Sequence, residues 1–344
     1  MQRFEGLVVD ASVWTGADLQ RDQSWIIELT PDQAREIRAA VDAVRQMPID
    51  KISRDMFRLP AWKATFDHID RELEGGRGFV LMRGMPLDGL EMDDIKRLYW
   101  GFGIQLGEPV SQNKFGNLIC HVRNEGARYG TQNSRGYNSN MALKVHNDST
   151  DVVGLLCVRQ AKSGGQSIIC SATAIYNEFV KRRPDLLDQL YEGFHYHLRG
   201  EERPGHWGVT PHRIPTFSYV AGKLSCRYVR NAIQLVPERT GVPLTHRERE
   251  TLDLFDEIAT SPQVAYAMEL RRGDLQLLNN YATVHTRTAF EDFEDPALVR
   301  HLMRLWLRTY NTRPLAPEFE NRYGADYVRR GIPPTVEPQI PFPA

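Results

Sequence analysis

The run Asp151-Val-Val-Gly-Leu-Leu-Cys-Val-Arg159 constrains the fold of this chain more than any other stretch. Its apolar side chains are almost unbroken, so a strand built from it must be covered on both faces. A second long strand is expected from Arg300 to Tyr310, reading Arg300-His-Leu-Met-Arg-Leu-Trp-Leu-Arg308 at its start. On a strand, Arg300, Arg304 and Arg308 share one face with Leu302 and Trp306, while His301, Met303, Leu305 and Leu307 form a mostly apolar opposite face. Guanidinium groups turned into a protein interior are unfavourable unless they meet an anion. Such a strand therefore needs an anionic ligand on its arginine side.

The remaining pattern mixes helices with short strands. Thr30-Pro31-Asp32-Gln33 has capping-box logic, with Pro at the first helical position, and opens a helix expected to reach about residue 47. Further helices are expected over about 62–74, 92–106 (ending near Gly107), 172–191 with a break at Pro184, and 246–260 capped by Thr245. Strands are expected over 78–84, 118–122, 167–170, 193–199, 263–270 and 275–279, with a hairpin of 216–220 and 224–229 around Ala221-Gly222-Lys223. Gly164-Gly165 reads as a tight turn and not a phosphate loop, because no Lys-Ser/Thr follows. No repeat or linker divides the chain. It is expected to be a single domain over 1–344, with a helical part at about 1–78, a core at about 79–312 and an irregular Pro-rich tail over 313–344.

Charge excludes some partners. Lys plus Arg (43) nearly balances Asp plus Glu (44), which gives no reason to expect nucleic acid or a membrane surface. No stretch approaches the roughly 20 apolar residues of a membrane span, and the N-terminus lacks a signal-peptide core. A cytoplasmic protein is expected. Cys120, Cys157, Cys170 and Cys226 lie far apart without Cys-x-x-Cys spacing and read as reduced core residues.

Chemistry enters just before the buried run. In Met141-Ala-Leu-Lys-Val-His-Asn-Asp-Ser-Thr150, His146 and Asp148 stand two residues apart and point to one side of an extended segment. They supply two of the three ligands of a 2-His-1-carboxylate facial triad. His285, in Asn279-Asn-Tyr-Ala-Thr-Val-His285, is the candidate for the third. The stretch from Asn124 to Asn140 is rich in Gly, Asn and Ser and leads directly into His146, so it is read as a lid. The other histidines have plainer readings: His195 and His197 alternate along a half-exposed strand, and His121 is a hydrogen-bonded loop residue. Arg304 and Arg308 have surface ion pairing as their plain alternative.

Four pieces, His146-x-Asp148, Ser163-Gly-Gly-Gln-Ser167, Asn279-Asn-Tyr-x-x-x-His285 and Arg300-x-x-x-Arg304, together resemble the taurine dioxygenase-like branch of the iron(II) and 2-oxoglutarate dependent oxygenases. That branch includes herbicide-degrading dioxygenases and shares its fold with clavaminate synthase. The resemblance spans roughly Phe79 to Arg308. It implies a mostly β protein with α-helices: a double-stranded β-helix, jelly-roll and cupin-like, flanked by helices. It implies His146, Asp148 and His285 as iron ligands and Arg300 as the partner of the distal carboxylate of 2-oxoglutarate, with Ser167 a hydroxyl donor to it. Arg304 matches a position that faces a substrate anion in some relatives, and Arg287 is a further candidate for that role. The lid has no matching motif.

The implied cofactors are Fe(II), the co-substrate 2-oxoglutarate and O2. Three protein ligands on one face leave iron positions open for the keto acid and for oxygen, and a forked guanidinium suits a carboxylate better than a lysine does. The expected reaction is hydroxylation of a small polar, anionic or amino-acid-derived molecule, with release of succinate and carbon dioxide. Desaturation, epoxidation or cyclisation at the same site is the enzymatic alternative. A non-catalytic barrel that binds or senses a small acid is the alternative of another class.

Overall fold

The computed structural model describes residues 3–127, 136–201, 208–320 and 331–334. Its strands are β1 (Ile26–Glu28), β2 (Phe79–Arg83), β3 (Gly107–Pro109), β4 (Ile119–Val122), β5 (Val152–Arg159), β6 (Ser163–Gly164), β7 (Ser167–Ser171), β8 (Phe217–Val220), β9 (Lys223–Cys226), β10 (Tyr266–Met268), β11 (Leu275–Asn279), β12 (Thr283–Arg287), β13 (Phe290–Glu291) and β14 (His301–Thr309). The seven-stranded sheet runs β1-β2-β11-β5-β14-β3, with β4 also paired to β14. The run that demanded cover on both faces, β5, lies inside this sheet between β11 and β14.

Both covers are present. On one face Val152, Leu156, Leu277, Met303 and Leu305 pack in a core with Ile95, Leu98 and Phe102 of the helix Met92–Leu106 and with the helices Pro31–Ala43 and Lys63–Glu74. On the other, Val153, Cys157, Leu278, Leu302 and Trp306 share a core with Ile169 of β7 and Met268 of β10. These last belong to a three-stranded sheet, β10-β7-β12, so the two sheets pack face to face. Behind the smaller sheet, Cys170 and Val284 join Tyr176 and Phe179 of the helix Ala172–Arg182 and Phe255 of the helix His246–Thr260.

Local signals were accurate where the chain punctuates itself. Thr30 and Thr245 both close capping boxes, with Gln33 and Glu248, and Gly107 ends the helix Met92–Leu106. Two expectations require correction. Residues 193–199 are not assigned as a continuous strand: Phe194, Tyr196 and Leu198 are buried as the alternation required, but backbone pairing among the described residues consists of isolated bridges, Phe194 with Ile214 and His197 with Val209. Helices also hold more residues than strands, so the chain is a mixed α/β protein and not mostly β. The short helices Arg230–Gln234 and Val236–Thr240 and the strand β1, parallel to β2, had no clear periodic signal. All four cysteines are buried and free. Among the described residues no helix is long and apolar enough to cross a membrane.

The Gly164-Gly165 turn connects the sheet that carries β5 to the smaller one. Both glycines have left-handed backbone, φ +71° and +72°. A Cβ on Gly164 would stand 2.2 Å from the carbonyl oxygen of Ala289, a backbone atom that cannot swing aside. Gly164→Ala is therefore expected to lower stability by about 1–3 kcal/mol from backbone conformation alone, with the clash adding to it. The urea unfolding midpoint measures this; an unchanged midpoint would show that the turn is not built as described.

Candidate metal centre

Backbone pairing brings the candidate ligands together. His146 donates its N–H to the carbonyl of His285 at 3.0 Å and accepts from the His285 N–H at 2.9 Å. This antiparallel bridge sets the imidazoles side by side, ring centres 4.4 Å apart. Asn147 secures the arrangement from the opposite side of the segment. Its Nδ2 donates to the carbonyl of Thr283 on β12 at 2.6 Å, and its Oδ1 accepts from the N–H of Tyr228 at 2.6 Å. One residue on, the Asp148 side chain turns back to the histidines: its Oδ1 lies 4.0 Å from His146 Nε2, and its Oδ2 3.9 Å from His285 Nε2. Ligand atoms of all three residues lie within 4.8 Å of one another.

The donors are held in metal-binding protonation states. His146 Nδ1 lies 2.8 Å from the carbonyl oxygen of Lys144, which assigns the proton to Nδ1 and leaves the Nε2 lone pair facing Asp148. Burial lowers the pKa of both histidines; that of His285 is pushed down to about 3, the nearby His146 adding to the effect. Burial acts to raise the pKa of Asp148, but Arg304 and the two histidines outweigh it and hold the carboxyl below its ordinary value. Neutral imidazoles beside an ionised carboxylate are the state a divalent cation requires. The Asp148 backbone is fixed as well, its N–H donating to Asn280 Oδ1 at 2.9 Å and its carbonyl accepting from Arg227 at 2.8 Å.

A pocket opens over the triad, lined among others by Tyr137, Leu155, Ser167, Arg199, Arg287, Arg300, Arg304 and Trp306. Arg300 is buried beside the ring of Phe290, and burial lowers its pKa to about 10. Its Nη1 has no hydrogen-bond partner among the described residues. A buried cation that lines the pocket and keeps a donor unpartnered among the described residues fits a carboxylate ligand there. Room for its side chain comes from Gly165, where a Cβ would lie 2.9 Å from Arg300 Nε. Ser167 Oγ lies in the same pocket, 2.9 Å from Gln276 Oε1.

The other arginines separate by partner. Arg304 Nε donates to Gln112 Oε1 at 2.7 Å, its Nη1 stands 3.4 Å from Asp148 Oδ1, and its guanidinium lies between the rings of Tyr137 and Trp306. Arg287 donates from Nη2 to the carbonyls of Ser139 and Met141 at 2.7 and 2.6 Å, so it anchors the segment entering the site. Arg308 forms a surface ion pair with Glu108, its plainer alternative. His121 is hydrogen-bonded, as its plain reading held, but to His301 at 2.7 Å and from β4, not from a loop. The expected lid falls partly on 128–135, and His206 and most of the tail likewise lie outside the described residues; Gly136–Asn138 forms a 3-10 turn at the pocket. Sequence reasoning missed Gln112, Arg199 and Trp306. Of these only Trp306 carried a signal, its place on the arginine face of β14.

Comparison with known proteins gives the family. The family model "Taurine catabolism dioxygenase TauD, TfdA family" matches residues 45–306, beginning earlier than the resemblance read from motifs. FR-33289 synthase of Streptomyces rubellomurinus is 34% identical over 312 residues, covering 89% of this chain and 91% of that protein. The taurine hydroxylase-like protein SAT17 of Stachybotrys chartarum is 24% identical over 88% of this chain and 80% of its own. Among solved structures, asparagine oxygenase in complex with Fe(II), 2S,3S-3-hydroxyasparagine and succinate superposes with a TM-score of 0.67 at 18% identity, over 82% of this chain and 93% of its own. The non-heme iron oxygenase OrfP in complex with Fe and alpha-ketoglutaric acid gives 0.60 at 18% identity, over 82% and 94%. The two structures share the fold; the family model and the Streptomyces relative go further, and on their strength the chain belongs to the TauD/TfdA family, as a non-haem dioxygenase that uses Fe(II), 2-oxoglutarate and O2.

Proposed function

We propose that His146, Asp148 and His285 hold the iron, that Arg300 and Ser167 receive the distal carboxylate of 2-oxoglutarate, and that the enzyme hydroxylates a small anionic or amino-acid-like molecule. The observation that carries the reading is the meeting, in one pocket, of His146, Asp148 and His285 with a buried Arg300 whose Nη1 has no hydrogen-bond partner among the described residues. With both groups bound, the site supplies oxidative decarboxylation to succinate and carbon dioxide together with an oxidant for a C–H bond. The protein's part is to hold three donors on one side of the ion, leave its other side to small molecules, and fix the keto acid by its far end. The face-to-face sheets, with His285 on β12 and His146 and Asp148 in the segment before β5, support reading the core as a double-stranded β-helix.

Substrate charge follows from the lining. Arg199, Arg287, Arg300 and Arg304 border the pocket, and among the described lining residues Asp148 is the one carboxylate. With Arg300 assigned to the co-substrate, Arg304, which already faces Asp148, and Arg287 are the arginines assigned to a substrate anion. The hydroxylated asparagine and arginine bound by the two solved oxygenases favour an amino-acid-like substrate.

His146→Ala, Asp148→Ala and His285→Ala are each expected to abolish succinate formation from 2-oxoglutarate, assayed with Fe(II) and candidate amino acids or sulfonates. Turnover that survives any of them would rule that residue out as a ligand. Arg300→Lys keeps the charge but loses the fork, and the KM for 2-oxoglutarate should rise about 10-fold or more, as a weakened charge-assisted pair of about 1.5–3 kcal/mol predicts. An unchanged KM would move the co-substrate carboxylate elsewhere.

A further inference from the structure

Trp306 does more than fill the core. Its ring is buried between the sheets with Val153, Leu278 and Leu302, a place that any large apolar side chain would occupy. The indole nitrogen is different, because Nε1 donates to Asp148 Oδ2 at 3.0 Å. Packing does not require that bond. Arg304 Nη1 stands farther from the same carboxylate, 3.4 Å from Oδ1 and 3.5 Å from Oδ2, and its Nε is engaged by Gln112.

We propose that Trp306 is a positioning residue for the iron, fixing the plane of the Asp148 carboxylate by holding Oδ2. The inference rests on the reading of His146, Asp148 and His285 as ligands. A carboxylate free to turn can take an ion with both oxygens and use a position that the co-substrate or oxygen needs. The indole N–H is a donor only and never competes for the metal. Its ring is wedged between two sheets, so it cannot follow the carboxylate as a lysine would. Of the two donors to Asp148, Trp306 stands closer and holds the carboxylate from inside the core.

Trp306→Phe keeps a buried ring and removes the N–H. Anaerobic titration of the metal-free full chain with Fe(II) should show Kd raised about 10-fold or more, the effect expected when a partner of a metal ligand is lost. The visible charge-transfer band of the Fe(II) and 2-oxoglutarate complex should shift or weaken, while the circular dichroism of the metal-free protein stays that of a folded chain, with an unfolding midpoint lowered by the smaller ring and the lost donor to Asp148. A folded Trp306→Phe protein with unchanged Fe(II) affinity and an unchanged band would overturn the proposal. Should this variant fail to fold, β-(3-benzothienyl)alanine in place of Trp306 keeps the outline of the indole with sulfur instead of N–H, and the same two measurements decide. A parent protein that binds no Fe(II) would instead bring down the assignment of the three ligands, so the two failures are distinct.

Discussion

The backbone bridge between His146 and His285 is the interaction on which the site depends. Two segments far apart in sequence exchange N–H···O bonds at 3.0 and 2.9 Å, and their imidazoles are brought together as a consequence. A lone two-residue bridge is weak, since each hydrogen bond contributes only about 0.5–1.5 kcal/mol net. Here it is extended on both sides. His146 also bridges Val229, Leu143 donates to the carbonyl of Arg287, and Thr286 Oγ1 donates to the carbonyl of Leu143. Asn147 completes the join through Thr283 and Tyr228. Between the regular strand β12 and the helix Arg230–Gln234, residues 143–147 are thus held extended by side chains as much as by a ladder. A carboxylate two residues past the first histidine then has little freedom to face elsewhere.

That join also explains how buried charge is tolerated. Removing Asp148 from water is costly unless it is paired and hydrogen-bonded. Arg304 and the Trp306 N–H are positioned to meet it, both from the inner face of β14. Arg304 is in turn fixed by Gln112, whose Nε2 donates to the carbonyls of Leu118 and Arg304. β14 therefore carries the counterion of Asp148 and the indole that donates to it, and the residue just before the strand, Arg300, is the buried cation proposed to receive the keto acid. This is why the arginine face of β14 is compatible with a buried strand.

Much of this was legible in the sequence, for identifiable reasons. The unbroken apolar run of β5 required two covers, and His146-x-Asp148 required one shared side; both are local consequences of strand geometry, and both hold. Capped helix starts were readable because Thr30 and Thr245 announce them by side-chain type. Residues 193–199 misled because alternation records burial and not pairing: Phe194, Tyr196 and Leu198 do go inward, yet their pairing among the described residues consists of isolated bridges. Arg287 was readable as a cation near the site. Its engagement with Ser139 and Met141 was not, because those carbonyls arrive from a segment with no periodic pattern. Gln112 and Arg199 reach the pocket region from irregular backbone, and Arg199 does so with φ +54°, a conformation that residue type does not announce.

The arginine face of β14 assigns different tasks to neighbouring positions. Arg300 is held by packing, on the Phe290 ring and in the space left by Gly165, and its Nη1 has no hydrogen-bond partner among the described residues. Arg304 is held by hydrogen bonds and lies between two aromatic rings, one of them, Tyr137, carried by the segment that leads into the triad. Packing confines a guanidinium while leaving its donors for a ligand; hydrogen bonding and stacking confine one whose charge already serves the protein. The first arrangement suits a co-substrate common to a whole enzyme family. The second couples Asp148, through one cation, to the segment that carries Tyr137, so a substrate anion at Arg304, as proposed above, would act on the electrostatics of the proposed metal site.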